Sequence, residues 1–89
     1  MTSAIATPTV HLNGTSKAEL LQGYLEAITA LREASNKIGR AGPNARDYYV
    51  QGNDAFTKAR DQHVARLTKL AEVQDELEQI AEKLAGVTR

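Results

Sequence analysis

The chain has no cysteine and no tryptophan, and among its 89 residues there are only one phenylalanine, one methionine and two prolines. Without cysteine there is no disulfide and no thiolate metal cluster to staple a small fold. Neither sign of charge is in excess: eleven Lys and Arg balance eleven Asp and Glu. That balance argues against a nonspecific coat on duplex nucleic acid and against a polybasic membrane binder. No apolar run approaches the roughly 18 residues of a membrane span, and Met1 to Leu12 lacks the basic start and long apolar stretch of a signal peptide. The expected location is therefore cytoplasmic. A domain this short buries only about 60 to 65% of its unfolded surface, so a lone chain is marginal and association is the remaining remedy.

Catalytic chemistry is also missing. The two histidines, His11 and His63, stand far apart in sequence, and no His-Glu-x-x-His, phosphate-loop or paired-cysteine pattern occurs. Gly39, Gly42 and Gly52 are too widely spaced for a dinucleotide fingerprint. The expectation is a protein that is not an enzyme, with no catalytic residue, metal ligand or cofactor.

What is present is helical periodicity. Residues 1–12 form an extended, flexible arm around Pro8 in which only Ile5, Val10 and Leu12 can pack, and residues 13–89 form one helical-hairpin domain. Ser16 and Glu19 have the spacing of a capping box. After them Leu21, Tyr24, Ile28, Leu31, Ser35 and Ile38 recur at alternating steps of three and four, which predicts a helix over about 17–38. Gly39 is placed to serve as its left-handed terminal residue, and Gly42-Pro43 prevents a restart. A loop rich in Gly, Asn and Tyr follows. Asn53 or Asp54 then caps a second helix over about 54–85, with Phe56, Arg60, His63, Leu67, Leu70, Gln74, Leu77, Ala81 and Leu84 on its seam and Gly86 at its end. His63 on that seam is expected to be a hydrogen-bonded interface residue. The fold class is thus all-α, an antiparallel hairpin. Leu20, Leu25, Val64, Val73 and Ile80 lie beside the seams and widen the apolar stripes beyond what two helices can cover. The expected assembly is a homo-oligomeric helical bundle, and the alternative is a monomer in which the arm covers these residues.

Charge is balanced overall but polarised along the chain. Arg32 to Lys69 holds eight basic residues against four acidic ones, whereas Ala71 to Ala85 holds five acidic residues against Lys83. Folding back at the loop makes one end of the hairpin positive and the far end negative. The loop also concentrates binding groups: Tyr48 and Tyr49 can stack on a base, and Arg46 can fork onto a phosphate. A solvated surface and a small local core under the loop explain the same residues. At the start of the first helix Asn13, Thr15 and Lys17 offer backbone N–H groups, a dipole and a charge to an anion, though ordinary capping explains the same residues and is the favoured reading. In one chain this start lies at the end opposite the loop.

His11-Leu12-Asn13-Gly14-Thr15-Ser16 opening one helix and Ala45-Arg46-Asp47-Tyr48-Tyr49-Val50-Gln51-Gly52 preceding another resemble a family of small helical proteins of tailed phages and prophages, over about residues 10–85. The family's loop usually carries Gly where this chain has Ala45. The resemblance implies a phage setting more than an activity. In architecture the chain is also similar to phage sponge proteins, which sequester nucleotide signals of bacterial immunity such as cyclic oligonucleotides and cyclic ADP-ribose derivatives. The function so implied is capture of a small nucleotide ligand by Arg46, Tyr48 and Tyr49 with help from Asn13, Thr15 and Lys17. Two rivals remain: a module that docks on a host or phage protein through its helix faces, and a nucleic-acid-binding regulator, which ranks last for want of a helix-turn-helix and a basic excess.

Overall fold

A computed structural model of the protein describes residues 5–86. Two helices, α1 (Lys17–Arg40) and α2 (Ala55–Ala85), pack against each other as a hairpin, joined by a loop with two short 3₁₀ turns at Ala45–Asp47 and Tyr49–Gln51. No strand occurs among the described residues. The α1 start follows the capping logic: Ser16 is extended, and its Oγ accepts from the Glu19 backbone N–H at 3.1 Å. The other end differs from the sequence expectation. α1 runs through Gly39 to Arg40, and Ala41, in right-handed geometry, closes it by donating to the Ile38 and Lys37 carbonyls. The left-handed glycine is not needed at Gly39, because the helix continues one residue further to Arg40 and the chain breaks away at Gly42, φ 146°, which precedes Pro43. For α2, Asp54 takes the N-cap position without a side-chain cap hydrogen bond, and Gly86 at φ 82° is the left-handed terminal residue that the sequence indicates.

Two cross-helix contacts set the register. His63 Nε2 lies 2.8 Å from the Ile38 carbonyl oxygen, and Arg32 Nη2 lies 3.8 Å from Glu78 Oε2. Since α2 has 31 residues and α1 has 24, one helix must overrun the other. The Ile38 to His63 contact puts the overrun at the loop end, where the first two turns of α2, roughly 12 Å, project past α1. The second 3₁₀ turn packs against α2, and the first packs against the second.

The core is thin. Only Ile28, Ala81 and Leu84 are buried among the described residues, and none of these is completely sealed. The remaining seam residues named above are half-buried, apart from Arg60, which is exposed. In the arm, Ile5, Thr7 and Pro8 are half-buried. Val10 and Leu12, expected to be able to pack, are exposed, Leu12 at 97%. The cause is local: the Gly14 N–H bonds back to the His11 carbonyl at 3.1 Å, and Leu12 sits on the outside of that tight turn. The expected flexibility of the arm also concerns residues 1–4, which lie outside the described residues.

The molecule measures 61 × 28 × 20 Å with a radius of gyration of 18.4 Å. A compact chain of this length would have a radius near 12 Å. Its accessible surface, 6908 Å², likewise exceeds the roughly 5,100 Å² of a compact monomer of the same mass. Leu25, Val64 and Val73 are about half exposed on the helix flanks.

Candidate functional site

The loop end holds a cavity of about 320 Å³ lined by Ala41, Gly42, Pro43, Tyr48, Ala59, Gln62, His63 and Arg66. Each wall follows from the local sequence. Gly42-Pro43 stops α1 and turns the chain across the projecting end of α2. The first 3₁₀ turn is closed by the Asp47 N–H to the Asn44 carbonyl at 3.1 Å and the Tyr48 N–H to the Ala45 carbonyl at 3.0 Å. The second is closed by the Gln51 N–H to the Tyr48 carbonyl at 2.9 Å. Gly52, at φ 124° and ψ 170°, then leads into α2 in a region that side chains resist. On α2, Ala59, Gln62, His63 and Arg66 are three and four residues apart and share a side of the helix.

These turns send the adjacent tyrosines to different environments. Tyr48 is half-buried and lines the cavity, whereas Tyr49 is 72% exposed and does not. Arg46, in the first 3₁₀ turn, is exposed and lies outside the lining. Asn13, Thr15 and Lys17 are exposed at the far end of α1, roughly 35 Å along the rod from the loop. Of the six residues singled out from sequence, one reaches the cavity, two flank it, and three stand at the opposite end of the same chain.

Gln62, His63 and Arg66 complete the site, and sequence reading passed over them as binding groups. Periodicity did not mark them: only His63 lies on the α2 seam, and Gln62 and Arg66 are exposed residues beside it. His63 is the hydrogen-bonded seam residue that its heptad position implies. A carbonyl can only accept, so Nε2 carries the hydrogen that it donates to Ile38, which leaves Nδ1 of the neutral ring as an acceptor. Among the lining residues Arg66 brings a guanidinium and there is no carboxylate. The arrangement can stack a planar group on a phenol ring, pair an anion with Arg66 and satisfy polar edges with Gln62. It offers no nucleophile with an adjacent base. Among the described residues no cluster of His, Asp or Glu could hold a metal ion, and no helix is long and apolar enough to cross a membrane. No protein-family model, no curated protein and no solved structure matches the chain.

Proposed function

We propose that this protein is a non-enzymatic binder, phage-encoded and directed against host defence, that sequesters a small nucleotide immune signal of the cyclic oligonucleotide or cyclic ADP-ribose type on a self-associated helical hairpin. The observation that carries the ligand reading is the loop-end cavity, where a phenol, an imidazole, a guanidinium and an amide line a space with no carboxylate on its walls. Its volume lies at the lower end of the about 300 to 1,000 Å³ range of small-molecule sites, which suits one nucleoside-sized guest per chain. The thin core and excess surface support self-association, since chains of this size seldom stand alone without a staple. The phage setting rests on the resemblance of the two loop motifs alone.

Thermal unfolding with and without a panel of cyclic and linear nucleotides tests this reading. A cognate ligand raises the melting temperature in proportion to RT ln(1 + [L]/Kd), and Tyr48→Ala and Arg66→Ala abolish the rise while leaving the helical signal intact. No shift with any member of the panel contradicts the reading. The second reading, a module that docks on another protein through its helix faces, is favoured by one observation, the half-exposed Leu25, Val64 and Val73 on the flanks.

A further inference from the structure

The Arg32 to Glu78 contact identifies one particular face of the hairpin. Leu25 precedes Arg32 by seven residues, two helical turns, so it lies on the same side of α1 to within about 20°. Val64 precedes Glu78 by fourteen residues, four turns, and lies on the same side of α2 to within about 40°. Because Arg32 and Glu78 meet, these two sides are one side of the hairpin. It therefore carries Leu25, 50% exposed, and Val64, 56% exposed, with the small Ala71 between them along α2. The register places Leu25 toward the α2 C-terminal end and Val64 near the end of α1, so they stand about 20 Å apart along the axis. Within one chain they cannot cover each other.

Charge runs along the same axis. The loop half, Arg32 to Lys69, has a net charge of four positive from its eight basic and four acidic residues. The far half, residues 5–31 and 70–86, has two basic residues, Lys17 and Lys83, against seven acidic ones, a net of five negative. Two copies laid side by side in parallel would set like ends together. Laid antiparallel, each positive end meets the other's negative end, and a two-fold axis through the middle of the face brings Leu25 of one copy to the level of Val64 of the other, twice. The excess surface of about 1,800 Å² per chain is more than the roughly 800 Å² that one partner contributes to a standard interface.

We propose that the occupant of this face is a second copy of the chain, bound antiparallel about a two-fold axis, with Leu25 packed on the second copy's Val64 and the basic loop end on the acidic end. This rests on the self-association in the proposed function and adds its orientation and contact residues. Nucleotide plays no part in it, so its test is independent of the ligand reading.

The absence of cysteine makes disulfide mapping clean. Leu25→Cys and Val64→Cys are made separately, checked for helix content, and oxidised alone and as an equimolar mixture without nucleotide, with sedimentation of the unmodified chain alongside. The expected results are a dimer in sedimentation, a covalent dimer containing one chain of each variant in the mixture, and little product from either variant alone. Rapid cross-linking of Leu25→Cys with itself means a parallel pair and overturns the proposal. A monomer at high micromolar concentration overturns it, as does a dimer whose mixture yields no mixed disulfide.

Discussion

The His63 imidazole donates through Nε2 to the Ile38 carbonyl at 2.8 Å, joining the loop-proximal part of α2 to the last turn of α1. The same ring is a wall of the loop-end cavity, so the bond that sets the hairpin register also positions a binding group. The Ile38 carbonyl accepts a second hydrogen bond, from the Ala41 N–H at 3.1 Å. His63→Ala therefore removes one bond without orphaning its acceptor. The expected loss is about 1 to 2 kcal/mol, near the low end because the residue is half-buried, and the melting temperature falls by roughly 4 to 8 °C per kcal/mol. Thermal unfolding at matched protein concentration measures it.

Gly39 and Gly52 separate two opposite expectations. Gly39 lies inside α1, and a Cβ there meets nothing within 4 Å, so Gly39→Ala stabilises by about 0.5 to 1 kcal/mol through helix propensity. A left-handed Gly39 would make the same substitution destabilising. Gly52, at φ 124°, resists a side chain whatever the space, and Gly52→Ala costs about 1 to 3 kcal/mol. Urea titration of the two variants gives both signs.

Local caps outweigh the surface ion pair. Ser16→Ala removes the acceptor of the Glu19 N–H and costs about 1 kcal/mol. Arg32→Ala removes a partly exposed pair at 3.8 Å and costs less than about 0.5 kcal/mol. Equal effects in urea titration contradict the geometry of one of the two contacts.

The hairpin was legible because six seam positions on α1 and nine on α2 keep the three-four spacing, and a period sustained over several turns has no alternative reading. Helix ends were less so. Gly39 looks like a terminator, yet any glycine three residues before Gly42-Pro43 looks the same, and only the hydrogen bonds of Ala41 show where the last carbonyls are closed. The site was half legible. The loop motif pointed to Tyr48, but two consecutive 3₁₀ turns decide that Tyr48 and not Tyr49 faces α2, and sequence periodicity does not encode that choice. Gln62 and Arg66 enter the site only because the chain after Gly42-Pro43 turns across α2 and brings Tyr48 beside them, a fold-back that neither helix's own sequence states.

Ligand binding should follow the cavity and not the loop motif. Arg46→Ala and Tyr49→Ala, both exposed and outside the lining, retain most of a nucleotide-induced melting shift, whereas Gln62→Ala reduces it. Complete loss with Arg46→Ala or Tyr49→Ala would move the binding site to the outer surface of the loop.

Native mass spectrometry of the unmodified protein against a mixture of cyclic and linear nucleotides counts chains and guests together. The account predicts a dimer or a higher even-numbered assembly of the 9.7 kDa chain carrying nucleotide adducts, with no more guests than chains. Monomers that leave every nucleotide unbound would contradict it.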